Sequence, residues 1–184
     1  MSVLDEKEKA GALSGDKFCN FYREALETSE EFRKDYEGRL NVVKAADLPF
    51  ERSPDGLIKH IIHEKMRTAE CCIEAYMQFL DPGMASGRHR HLSEEIVFVV
   101  EGRGYDLHWD VKFDCGDEFD WAWEETPRRF DWEQGDFVYI PPYCIHQHVN
   151  ADPQSPARII VINNRIIKDM GFDWFEQLEN AEGF

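Results

Sequence analysis

Two periodicities divide the chain. From Ser14 to Gly38 apolar residues recur at helical spacing: Phe18, Phe21, Tyr22, Ala25 and Leu26, with Phe32 and Tyr36 extending the stripe and Gly38 as a stop. The pattern predicts one helix whose apolar face packs as a lid on the main fold. After the turn signal Arg52-Ser53-Pro54-Asp55-Gly56 the period changes from 3.6 to 2. In residues 71–80, Cys71, Ile73, Ala75, Met77 and Phe79 share one face of a strand. Further strands are predicted at 95–100, 105–109, 136–140, 145–149 and 157–163, punctuated by Gly, Pro and Asp. Short strands at this interval indicate an all-β barrel or sandwich. A short C-terminal helix is expected from Asp173, with Glu176 as its capping-box partner. The expected organisation is a helical arm over 1–55 packed on a barrel over 56–184, together one structural domain.

Between these strands, residues 110–133 are acidic and rich in rings. Phe119, Trp121 and Trp123 alternate with Asp120 and Ala122, and Phe130 and Trp132 flank Asp131. Thr126-Pro127 lies between the two runs, which predicts a hairpin with one aromatic face. Such a face either walls a pocket for an aromatic ligand or covers the barrel or a dimer interface, and the second use is the more common.

Composition narrows the setting. The 184 residues carry 21 basic and 37 acidic side chains, a formal net charge of −16. No basic patch is present, which argues against nucleic-acid or anionic-membrane partners. The five cysteines lack framework spacing, no secretory apolar stretch opens the chain, and no run is long enough to span a bilayer. A cytoplasmic protein with reduced thiols is expected.

Chemistry concentrates in residues 87–104, GRHRHLSEEIVFVVEGRG. On a strand, His89 and His91 project to the same side, and Glu95 reaches the same point after a bend at 92–94. Two histidines and a carboxylate suit non-haem Fe(II) with positions left open. A third histidine, His146, follows Gly135 and Pro141-Pro142 on a returning strand. Arg88 and Arg90 alternate with the histidines and should point away from the ion.

These residues resemble the cupin superfamily. Gly83, His89-x-His91, Glu95 and Gly102 match its first motif at every spacing; Gly135, Pro141, His146 and Asn150 match its second, over about residues 70–163. One position departs: Tyr143 replaces a glycine, which is expected to alter the turn and set a phenol near the barrel mouth. The resemblance implies a double-stranded β-helix (jelly-roll) barrel holding one divalent ion through His89, His91, Glu95 and His146. Fe(II) is favoured, with Mn, Zn or Ni as alternatives. His148 shares the parity of His146 and is the candidate base, or else a second-shell or barrel-filling group. Tyr105, Tyr143 and Met77 are candidate pocket residues. His60, His63 and His108 read as ordinary surface or core histidines.

The function that the resemblance implies is an Fe(II) dioxygenase cleaving a C–C bond in a small oxygenated compound, and the ring-rich insert favours an aromatic one. The alternatives are a non-redox metal lyase, decarboxylase or isomerase, and a small-molecule-binding cupin without catalysis. The last ranks lowest, because the only appended helix is single and acidic rather than a basic DNA-reading motif. Expected partners are a small-molecule substrate, dioxygen for a dioxygenase, and a second copy in a homodimer.

Overall fold

The computed structural model describes residues 19–68, 72–117, 119–172 and 174–184. The chain divides into two units, one ending at Arg39 and one beginning at Leu40. In the first, helix α1 (Phe21–Glu37) forms where the 3.6 period predicts it, and none of its residues is buried. The expected start at Ser14 lies outside the described residues.

Among the described residues, the second unit holds thirteen strands: β1 (Phe50–Ser53), β2 (Gly56–Ile62), β3 (Ile73–Leu80), β4 (Arg88–His91), β5 (Glu95–Glu101), β6 (Arg103–Trp109), β7 (Val111–Cys115), β8 (Phe119–Trp123), β9 (Arg128–Glu133), β10 (Phe137–Ile140), β11 (Ile145–Asn150), β12 (Ala157–Asn164) and β13 (Phe175–Glu179). A one-turn helix, α2 (Ile166–Asp169), follows β12. Six strands form one sheet in the order β1-β2-β3-β12-β5-β10, five form another in the order β13-β4-β11-β6-β9, and β7 pairs with β8. All these pairings are antiparallel, and many join strands distant in sequence. This is the jelly-roll barrel with an N-terminal helix that the punctuated strands predict.

The hydrophobic core is one buried cluster of Leu80, Val97, Val99, Trp132, Ile140, Cys144, Ala157, Ile159 and Val161. On β5 and β12 these alternate with outward residues, as a half-buried strand requires. Each large aliphatic side chain taken fully from water contributes about 1.5–3 kcal/mol. Gly102 closes the β5–β6 hairpin at φ +93°, where a Cβ would lie 2.7 Å from that of Ala157. Both facts demand glycine there.

Four expectations change. Residues 50–55, expected in the helical arm, instead open the β1–β2 hairpin of residues 50–62, and the Arg52–Gly56 turn is its tip. Residues 175–179 are a strand rather than a C-terminal helix, because β4 offers an edge that pairs Phe175 with His91 and Gln177 with His89; Asp173 lies outside the described residues. The aromatic runs of 119–123 and 128–133 do not form a hairpin with each other. Instead β8 pairs back onto β7, and β9 joins β6 in the main sheet, where Trp132 fills the space beside Gly104. Finally, on β3 the pocket candidate Met77 stands on the face opposite Gln78 and Leu80. Gln78 and Leu80 are buried, whereas Phe79 lies outside with its ring against Phe50.

Candidate metal centre

Four side chains from three strands meet inside the barrel. On β4 the alternation buries His89 and His91 and turns Arg88 and Arg90 outward. On β11 it buries His146, His148 and Asn150. Antiparallel register sets His146 directly opposite His89. Glu95, the first residue of β5, is fully buried. Ligand atoms of His89, His91, Glu95 and His146 lie within 4.8 Å of one another. His91 Nε2 is 3.2 Å from Glu95 Oε2, and His146 Nε2 is 3.6 Å from Glu95 Oε1. Donors about 2.1 Å from one ion sit roughly 3–4 Å apart, so this spacing fits.

The hydrogen bonds around the rings agree. His91 Nδ1 donates to Ser93 O at 2.8 Å and His146 Nδ1 to Cys144 O at 3.1 Å. His89 Nδ1 faces Asp55 Oδ1 at 3.3 Å. With Nδ1 of His91 and His146 engaged and that of His89 turned toward a carboxylate, Nε2 is the nitrogen left to hold an ion. Glu95 Oε1 and His146 Nε2 are buried and have no hydrogen-bond partner among the described residues. Buried polar atoms of that kind are rare unless an ion or water completes them, so the residues present fit a divalent cation.

Electrostatics points the same way. Burial alone would raise the Glu95 carboxyl, but the neighbouring His146, His148 and His91 rings hold it well below the usual range. Burial, reinforced by repulsion from His89, keeps His146 well below the usual imidazole value and therefore neutral, as a ligand must be.

Two of the four, His89 and His91, line a cavity of about 290 Å³, while Glu95 and His146 lie behind its wall. One wall is apolar, from Ile58, Leu92, Ile167, Phe172, Trp174 and Phe175. Phe175 stacks nearly parallel to His91, at 9° and 6.3 Å, and lies 5.4 Å from His89. Polar groups on the other side include Asp55, Tyr76 and Asn163. Tyr76 is held by burial, and by the charge of Glu95, well above the ordinary phenol value, so its hydroxyl keeps its proton.

The remaining candidates lie elsewhere. His148 is wholly buried but is not on the cavity wall; it sits behind Glu95, with Nε2 at 3.4 Å from Oε1. Met77 shares the outer face of β3 with Phe79, and Tyr105 points outward beneath the Arg129 guanidinium at 3.7 Å. Tyr143 belongs to a ring cluster with Trp121, Trp123 and Trp174. It takes φ +67°, the left-handed conformation that glycine adopts more readily than tyrosine. Arg90 covers Trp123 at 3.7 Å and pairs with Glu176, while Arg88 pairs with Glu179; both outward arginines meet the chain's own β13. Asn150 is structural, donating to Leu80 O and Ser155 O. His108 is a buried core histidine against Phe130.

Sequence reasoning missed Asp55, Tyr76 and Asp106. Period two from Gly104 would have placed Asp106 and His108 inward. Nothing local marks Asp55, whose position depends on a hairpin that the pattern did not reveal.

No family model matches the chain, and no curated protein matches it. Among solved structures it is similar to Lactobacillus farciminis oxalate decarboxylase in a formate complex, with TM-score 0.51 and 14% identity over 68% of this chain and 34% of that one. It is similar to vicilin from hazelnut, Corylus avellana, with TM-score 0.52 and 15% identity over 74% and 36%. Bacillus subtilis oxalate decarboxylase, studied for its Mn(II) centres, gives TM-score 0.50 and 16% identity over 70% and 31%. The chain spans about a third of the length of each. Likeness at these identities concerns the fold alone, and with the sheets above it shows a jelly-roll barrel of the cupin type. Its inward His89, His91, Glu95 and His146 make it one equipped with a buried candidate metal centre.

Proposed function

We propose that the protein is a metal-dependent cupin enzyme that holds one divalent ion, Fe(II) in the favoured case, and cleaves a C–C bond of a small oxygenated compound with dioxygen. The observation that carries this reading is the convergence of four buried donor side chains, with Glu95 Oε1 and His146 Nε2 unpartnered among the described residues, beside an apolar-walled cavity that His89 and His91 line. A divalent ion held by His89, His91, Glu95 and His146 supplies Lewis acidity and, if iron, a redox centre for oxygen chemistry. The chain's own residues do the rest. Phe175, Trp174, Phe172 and Ile167 exclude water and offer a face to a planar or apolar substrate body. The Tyr76 hydroxyl, protonated at neutral pH, donates a hydrogen bond to a substrate oxygen that gains negative charge.

Tyr76 also supports a second reading, a non-redox lyase or decarboxylase, because a neutral donor beside the ion serves anion stabilisation without oxygen. Elemental analysis of untagged protein purified without chelator, followed by oxygen-electrode assays with catechol-like and β-dicarbonyl compounds, separates the two. Iron and substrate-dependent oxygen uptake support the dioxygenase. Manganese, zinc or nickel, with no uptake after iron reconstitution, supports the second reading. A cytoplasmic homodimer completes the proposal. The outward apolar residues Ile96, Phe137 and Tyr139 on β5 and β10 support self-association, which sedimentation measures.

A further inference from the structure

The ring nitrogens that face away from the candidate ion are not held alike. His91 and His146 donate to main-chain carbonyls of their own neighbourhoods. His89 faces a carboxylate from a distant part of the chain, Asp55 at the tip of the β1–β2 hairpin. Asp55 Oδ1 and His89 Nδ1 are 3.3 Å apart, a shade beyond ordinary hydrogen-bond length. Both atoms are buried, and neither has a hydrogen-bond partner among the described residues.

The hairpin tip is built to hold that carboxylate in place. Gln78 is fully buried on β3, and its Nε2 donates both to Asp55 Oδ2 at 2.6 Å and to Asp55 O at 2.7 Å. Pro54 O accepts from Ala181 N at 2.7 Å, tying the tip to the C-terminal segment. The tip also presses against Gly87, where an added Cβ would lie 2.6 Å from Pro54 O. Gln78 therefore holds the side chain and two further stretches hold the main chain of the tip, leaving one carboxylate oxygen facing a candidate ligand histidine.

We infer that Asp55 is a positioning residue of the metal centre: its carboxylate accepts a hydrogen bond from Nδ1–H of His89, fixing the tautomer and orientation that present Nε2 to the ion. A carboxylate in this place also makes the imidazole a stronger donor than a carbonyl partner does. Asp55 is not itself among the convergent ligands. The β1–β2 hairpin, which lies outside both cupin motifs, thereby becomes part of the site.

This inference rests on the metal-centre reading above, and the test keeps the two apart. Metal-free protein is titrated with Co(II), read by calorimetry and by the visible ligand-field spectrum, for the wild type, Asp55→Asn and Asp55→Ala. The expected result is Co(II) affinity about 10–100-fold lower in Asp55→Ala, with an altered spectrum. Asp55→Asn, which keeps an acceptor oxygen and the side-chain shape, should lose several-fold in affinity and retain the wild-type spectral shape. If Asp55→Ala does not fold, the isosteric variant carries the test alone. Wild-type affinity and spectrum in the variants that fold, even with a lowered melting temperature of the metal-free protein, would assign Asp55 a merely structural role and overturn the inference. Absence of Co(II) binding by the wild type would overturn the metal-centre reading as well.

Discussion

His148 and Asp106 face each other across β11 and β6, wholly shielded from solvent, with Nδ1 donating to Oδ1 at 3.1 Å. Burial opposes the charge on each, yet each holds the other charged. Asp106, helped by His108 and by Trp132 Nε1 at 2.8 Å, stays well below the usual carboxylate range. His148 is lifted well above the imidazole range by Asp106 and Glu95. Removing one member leaves an uncompensated buried charge, which costs about 3–5 kcal/mol. Asp106→Ala should lower metal-free stability by that amount in urea unfolding.

The same pair sets a pH window for the metal-free protein. Asp106 has a depressed pKa, so its contribution is present above the ordinary carboxylate value near ~4 and is lost as pH falls below it. His148 has a raised pKa, so its contribution is complete below the ordinary imidazole value near ~6.5 and fades as pH rises toward the folded value. The stability difference between wild type and Asp106→Asn should therefore peak between these limits and shrink on both sides. Urea midpoints measured from pH 3 to pH 9 check this.

Ligand removal should uncover the metal centre directly. His91→Ala and His146→Ala are each expected to abolish stoichiometric binding of a divalent ion while leaving the far-UV spectrum of the barrel. A ligand at 100-fold excess over its dissociation constant stabilises by about 2.7 kcal/mol, so chelation should lower the wild-type melting temperature but not that of either variant. Unchanged metal content in both variants would refute the ligand set.

Thiol reactivity should follow burial. Cys19 and Cys72 are exposed, whereas Cys144 is buried and its thiol is pushed strongly up by burial and by Asp110. Maleimide should label the first two in the native protein and Cys144 only after unfolding, as read by mass spectrometry.

Tyr143 combines a left-handed backbone with a ring packed among Trp121, Trp123 and Trp174. Tyr143→Ala loses the ring contacts and keeps the backbone penalty, while Tyr143→Gly loses the ring and relieves the penalty. The glycine variant should be the more stable of the two by about 1 kcal/mol in chemical unfolding.

The sequence by itself determined what is local. Period-two alternation placed His89 with His91 and His146 with His148, because successive strand side chains must take opposite faces, and the fixed intervals through Glu95 and Gly102 made the barrel legible. The tertiary structure decided what depends on distant pairing. It aimed Asp55 at His89 through a hairpin hidden in a weakly patterned segment, and turned 175–179 into a strand because β4 had an open edge. It also set His148 behind Glu95 rather than in the cavity, since parity tells which face a residue takes but not its depth in the barrel. Tyr105 and Met77 lie outside for a related reason: neighbours that bind across sheets choose the inward face, and in β3 the anchors are Gln78 and Leu80.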